Sequence, residues 1–112
     1  MQILERRLES SDIISLEGDL DASTTAEVRA ELRRRLRGGK TRFILDISKV
    51  DFIDSSGLSV LVTALKSARE MGGDIALLNP TAQAKALIEL TRLHRIFEIY
   101  EDEDDAVAAF QE

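Results

Sequence analysis

Apolar residues near the N-terminus fall in two short clusters: Ile3, Leu4 and Leu8, then Ile13, Ile14 and Leu16, on either side of the polar stretch Glu9-Ser10-Ser11-Asp12. Two short strands around a turn are predicted. Neither alternates cleanly, so the pattern leaves their register open. Gly18-Asp19-Leu20-Asp21 ends the second strand, and the period then changes. From Thr25 to Arg37, Val28, Leu32 and Leu36 recur at four-residue intervals with arginines between them, which predicts an amphipathic helix. Asp21, Ser23 or Thr24 suits its N-cap, and the sequence does not choose among them. Gly38-Gly39 stops it, because glycine takes the left-handed cap conformation at little steric cost.

Phe43-Ile44-Leu45-Asp46-Ile47 is a nearly continuous apolar run entered from a helix, the pattern of a central parallel strand buried on both faces. Lys49 to Asp54 reads as a connection into a second helix, from Ser56 to about Met71. Leu58, Leu61, Val62, Leu65 and Ala68 form that helix's apolar face, and Gly72-Gly73 ends it. Ile75-Ala76-Leu77-Leu78 is the next buried strand. Asn79-Pro80-Thr81 opens a third helix, with Pro80 suited to a first helical position and Ala84, Ala86, Leu87 and Leu90 offered for packing. Ile96 to Tyr100 reads as the last strand. The acidic run after it begins a terminal helix in which Val107 and Phe110 dock and the acids sit at the favoured N-terminal end. The predicted class is α/β, in the order β-β-α-β-α-β-α-β-α: a mixed, mostly parallel sheet of about five strands with about four helices. Four short helices do not cover both faces of such a sheet equally, so one face is expected to be partly open.

The 112 residues fit one domain, 1–112, with a modest core. There is no cysteine, which excludes disulfides, thiol chemistry and cysteine-ligated metals. No apolar run approaches the length of a bilayer span, and an acid within the first five residues argues against an export signal, so the expected location is the cytoplasm. The net charge of −6 is unevenly placed. Every Lys and Arg precedes residue 101, whereas Glu101-Asp102-Glu103-Asp104-Asp105 and Glu112 carry the whole acidic excess. Arg29, Arg33, Arg34, Arg35, Arg37, Lys40 and Arg42 form one basic stretch, readable as a partner contact or as a solvated helix face. An acidic chain disfavours direct nucleic-acid binding by long-range attraction.

Asp51-Phe52-Ile53-Asp54-Ser55-Ser56-Gly57-Leu58 concentrates acid, hydroxyls and glycine at the mouth of a helix. Free N–H groups and the helix dipole meet there, so added negative charge is tolerated by the helix. A phosphate on Ser55 would bring roughly −2 charge beside Asp51 and Asp54. A docked partner would feel that as repulsion and lost room, while the fold would feel little. The plain structural reading of the same residues is an N-cap at Ser55 or Ser56, followed by a glycine that allows close packing.

Ile44-Leu45-Asp46-Ile47 followed by Val50 to Leu58 resembles the signature of the STAS family, and within it the bacterial anti-sigma factor antagonists. Gly18-Asp19-Leu20-Asp21 with Thr24 resembles that family's turn before the first helix. Met71-Gly72-Gly73 resembles its helix end, and Asn79-Pro80 the opening of its third helix, so the likeness covers nearly the whole chain. The resemblance implies that Ser55 is phosphorylated by an anti-sigma factor that is itself a serine kinase. Unphosphorylated, the antagonist binds that factor and frees the sigma factor. Phosphorylation breaks the complex, and a serine phosphatase acting on phospho-Ser55 resets it. It further implies a partner-binding set of Asp21, Thr24, Asp54, Ser55, Ser56, Gly57 and Leu58. Domains of this fold also serve in stress-signalling assemblies and beside lipid or anion transporters, so the alternative is a scaffold or regulatory subunit without a phosphorylation cycle.

Enzymatic chemistry finds little footing. His94 is the lone histidine, and Asp51 with Asp54 suggests a magnesium pair only beside a phosphorylated substrate, yet no P-loop or kinase motif is present. No catalytic residue, cofactor or metal is expected.

Overall fold

A computed structural model describes residues 1–8 and 11–110. Its elements are β1 (Gln2–Arg7), β2 (Asp12–Leu20), α1 (Thr25–Arg37), β3 (Arg42–Ile53), α2 (Ser55–Glu70), β4 (Asp74–Leu78), α3 (Ala82–Leu90), β5 (Glu98–Tyr100) and α4 (Glu103–Ala109), with a short 3₁₀ turn at Leu93–Arg95. The strands lie in sequence order across one sheet. β1 is antiparallel to β2, and β2 through β5 are mutually parallel. This is the predicted class and order. The register left open by the sequence pairs Ile3 with Leu16 and Leu4 with Ser15. Leu8 falls just past the first strand, and Glu9 and Ser10 of the predicted turn lie outside the described residues.

Successive residues of a strand point to opposite faces, which explains the unbroken apolar runs. Ile14, Leu45 and Leu77 face the main core beneath α1, α2 and α3. Their neighbours Ile13, Ile44 and Ala76 face the other way and pack against Ala106 and Phe110 of α4. Among the described residues, only this short helix covers the second face. It is fastened by the Ser11 hydroxyl, which donates to the Phe110 carbonyl at 3.1 Å, and by the Arg42 guanidinium, 4.2 Å from the Phe110 ring centre. Beyond α4 the face is open, as expected: Leu4 is 43 % exposed, and Arg6, Ser15, Glu17, Asp46 and Ser48 line a polar depression around it.

Four local expectations are corrected. Lys49–Ile53 is strand, because nine-residue β2 keeps pairing with β3 up to Leu20 opposite Ile53, through two register shifts. The last strand is three residues long, since β4 offers pairing only from Ala76 to Leu78. Pro80 precedes the cap: Thr81 caps α3, accepting from the Ala84 N–H at 3.2 Å. Within α3 the buried residues are Ala84 and Ile88, while Ala86 and Leu90 face solvent, because the helix presents only one narrow stripe to the sheet.

The arginines of α1 divide by role. Arg35 is buried, so the solvated-face reading fails for it. Its guanidinium pairs with Glu5 and, at 3.1 Å, with Asp12, and lies 5.0 Å from the Phe43 ring centre. This ties α1 to the β1–β2 hairpin. Removing one partner of a buried pair leaves the other charge poorly solvated, so Arg35→Ala is expected to destabilise the fold by about 3 kcal/mol, read as a lower denaturant midpoint at unchanged slope. The Arg35 hydrogen bond also holds the Glu5 carboxyl below its ordinary value of 4.5. A depressed carboxyl stabilises above its unfolded pKa, and that contribution is lost as pH falls through the folded value. The variant should therefore show a shallower loss of stability below pH 4.5 than the parent chain.

Candidate functional site

The second helix opens where β3 leaves the sheet. Asp54 has extended backbone and is the N-cap of α2, its Oδ1 accepting from the Gly57 N–H at 2.9 Å. The cap is therefore Asp54, and neither Ser55 nor Ser56 is needed for it. Both serines occupy the first helical turn and are exposed. Among the described residues the Ser55 hydroxyl has no hydrogen-bond partner, and the amides of Ser55 and Ser56 are two of the unpaired donors of the helix start. Positive potential from the helix end falls on that hydroxyl.

A second turn abuts the first. The Leu20 carbonyl at the end of β2 accepts from the Asp54 N–H at 3.3 Å. Gly57 sits so close to this carbonyl that a Cβ on it would lie 2.2 Å from the oxygen. Directly after Leu20, the Asp21–Thr24 turn is closed from within. The Thr24 hydroxyl donates to the Asp19 carbonyl at 2.8 Å and accepts from the Asp21 N–H at 3.1 Å. Asp21 accepts from the Ser23 hydroxyl at 2.6 Å and its N–H at 2.9 Å, bonds that hold its carboxyl below the usual range. Of the three cap candidates Thr24 holds the N-cap position of α1, but its side chain makes no cap bond because it is spent on the turn. Asp21, Thr24, Asp54, Ser55 and Ser56 thus share one end of the sheet. Gly57 and Leu58 belong there differently: both are buried, Leu58 to 3 % exposure, so they shape the helix start and offer a partner no side-chain surface.

Two residues of the site escape the sequence pattern. Phe52 is 45 % exposed at the penultimate position of β3, a large apolar side chain two residues before the Asp54 cap. Gln83 of α3 reads the backbone of Ile53 with both ends of its amide, accepting from the Ile53 N–H at 3.0 Å and donating to the Ile53 carbonyl at 2.8 Å. It supplies the pairing that β4 stops too early to give. No signal marked Gln83, which in the sequence is one more polar helix position; Phe52 stood in the stretch read as a connection, where nothing singled it out.

Asp54 is committed to the cap, Asp51 is exposed, and among the described residues no group of three or more His, Cys, Asp or Glu is placed to hold a metal ion. His94 sits exposed in the 3₁₀ turn. No described helix is long and apolar enough to cross a membrane.

The STAS domain profile matches residues 6–106. The chain belongs to the STAS family. An anti-sigma-B factor antagonist of Listeria monocytogenes is 31 % identical over 99 residues, 88 % of this chain and 86 % of that one. The crystal structure of a Thermotoga maritima protein superposes on this STAS domain with a TM-score of 0.91 at 27 % identity, covering 96 % of this chain and 93 % of the other. The Bacillus cell fate determinant SpoIIAA in its phosphorylated form shares the fold, with a TM-score of 0.74 at 21 % identity over 96 % of this chain and 98 % of that one. As a STAS domain the chain is a regulatory module rather than a catalyst, related to the anti-sigma factor antagonists. In such a module the work is done by a surface. The pair of turns at the C-terminal ends of β2 and β3, where Ser55 is exposed, is the candidate for that surface.

Proposed function

We propose that this STAS domain is an anti-sigma factor antagonist switched by phosphorylation of Ser55. Unphosphorylated, it binds an anti-sigma factor that is also a serine kinase, and the sigma factor held by that kinase is freed. Phospho-Ser55 ends the complex, and a serine phosphatase restores the binding form. One observation carries the reading: Asp54 holds the helix cap, so the Ser55 hydroxyl is exposed and uncommitted at a helix N-terminus. A phosphate there meets free amides and the positive end of α2, so the fold tolerates it. A partner seated on the same turn meets new negative charge beside Asp54, and like charges brought together across an interface cost several kcal/mol. A protein of the same fold, the Bacillus cell fate determinant SpoIIAA, has been solved in a phosphorylated form, which supports reading this fold as one that accepts the modification.

The test is Ser55→Asp against Ser55→Ala, with peptide mass spectrometry of the parent chain incubated with ATP and the candidate kinase. Ser55→Asp is expected to weaken kinase binding about 100-fold, the order that such repulsion gives. Ser55→Ala should bind like the parent and keep its stability, since Ser55 caps nothing. One phosphate mapped to Ser55, with loss of the complex, completes the support. An unmodified Ser55 after incubation with an active kinase that binds stably would sink the switch and leave an unphosphorylated scaffold of the same fold.

A further inference from the structure

A groove of about 210 Å³ runs between α1 and α2, apart from the Ser55 turn. Leu32 and Leu36 of α1 and Val60 and Ala64 of α2 form its apolar floor. Met71, 52 % exposed, extends that floor at the far end. Arg29, Arg33 and Arg37 stand along one wall at four-residue intervals, on one face of α1. The neighbouring arginines are already engaged: Arg34 pairs with Glu31, and Arg35 with Glu5 and Asp12. Arg29, Arg33 and Arg37 are exposed and form no ion pair among the described residues. Three exposed cations with no ion pair among the described residues thus border a concave apolar floor that Met71 carries out to the surface.

We propose that this groove is a second docking surface, filled by an acidic amphipathic helix of a protein partner. The ridge from Arg29 to Arg37 is about 12 Å long at 1.5 Å per residue, so it matches carboxylates at four-residue intervals on a facing helix. Apolar residues of that helix fill the floor, as in other helix-in-groove docking. The groove is concave, which suits an inserted helix better than a flat bilayer, and the net charge of −6 opposes anionic membranes and nucleic acid alike. A second copy of this chain is a poor occupant: its acidic α4 already spends Ala106, Val107 and Phe110 on its own sheet and leaves outside carboxylates with two small alanines, no apolar stripe to fill the floor. α1 and α2 both start at the C-terminal ends of parallel strands, so the groove leads away from the Ser55 end. A partner seated on that end can extend a helix along it, but groove binding does not rest on the Ser55 reading.

The experiment is a fluorescence-anisotropy and ¹⁵N-NMR titration of the full chain with a synthetic amphipathic peptide helix bearing glutamates at four-residue intervals beside a leucine stripe. The same peptide with glutamine for glutamate is the control. The acidic peptide should bind with shift changes confined to α1 and α2. Reversing the ridge (Arg29→Glu, Arg33→Glu and Arg37→Glu together) should weaken it roughly thirtyfold, the sum of three modest exposed pairs. Met71→Lys should also weaken it. Lys66→Glu, off the groove, and Ser55→Asp should leave it unchanged, which separates failure here from failure of the switch. No binding, equal binding of the glutamine peptide, or indifference to the ridge reversal would overturn the proposal. Stronger binding to phosphatidylglycerol vesicles or duplex DNA than to the peptide, or self-association abolished by the reversal, would overturn it in favour of those occupants.

Discussion

Gly57→Ala should destabilise the chain by about 3 kcal/mol or more, placing it among the harshest single-methyl changes available in this fold. The new Cβ would stand 2.2 Å from the Leu20 carbonyl oxygen, 2.9 Å from its carbon and 2.7 Å from Leu20 Cγ. Two of these atoms are backbone and cannot rotate aside. The carbonyl also accepts the Asp54 N–H, so moving it breaks the bond that seats α2 against β2. Moving the helix start instead loses the Asp54 cap bond to the Gly57 N–H. Either relaxation separates the Asp21 turn from the Ser55 turn. Denaturant titration checks the stability, and kinase binding at a temperature where the variant is still folded checks the site. Both should fall. A variant within about 1 kcal/mol of the parent would show that the helix start has room to shift, contrary to the packing described.

Gly73→Ala is expected to be comparably severe for stability while sparing the site. Its Cβ would lie 1.9 Å from the Thr41 carbonyl oxygen and 2.4 Å from the carbonyl carbon. That oxygen accepts from the Asp74 N–H at 2.9 Å, immediately before Arg42 and Asp74 start the β3–β4 ladder. Overpacking against backbone here costs about 3 kcal/mol and prises apart the first parallel pair. The locus is at the opposite end of β3 from Ser55. Partner affinity per folded molecule should therefore match the parent, whereas Gly57→Ala loses it. Gly72 is the comparison: it has φ +84° with open space around it, so alanine there meets only backbone strain of about 1 kcal/mol. Adjacent glycines thus answer to different constraints, one to conformation and one to close approach. Denaturant midpoints of the two variants should order them accordingly.

That pair shows where sequence reading stops. Gly72-Gly73 is legible as a helix end, but nothing in the dipeptide says that Thr41, some thirty residues earlier, leaves no room for a methyl group. The same holds at the site. The concentration of acid, hydroxyl and glycine from Asp51 to Gly57 was visible as a helix mouth, and its likeness to a family motif singled out Ser55. Which residue caps the helix was open until the backbone of Asp54 was seen to be extended and its carboxylate to reach Gly57. That geometry takes Ser55 and Ser56 out of the cap and leaves the Ser55 hydroxyl without a hydrogen-bond partner among the described residues. Leu58, read as a contact, turned inward because the helix face that begins with it packs on the sheet.

Periodicity alone determined the class, the element order and the locations of three of the four helices' buried stripes, because burial of one face imposes a period of two or near four on the chain itself. It misjudged α3, whose Leu90 is 81 % exposed, since a short helix at the sheet margin has fewer neighbours to satisfy. What the tertiary structure decided are relations between distant residues: Leu20 against Gly57, Gln83 on Ile53, Arg35 between Glu5 and Asp12, and the unpaired ridge of Arg29, Arg33 and Arg37 over its groove. Each depends on which elements become neighbours, and a local pattern of apolar and polar positions carries no information about the partner across the gap.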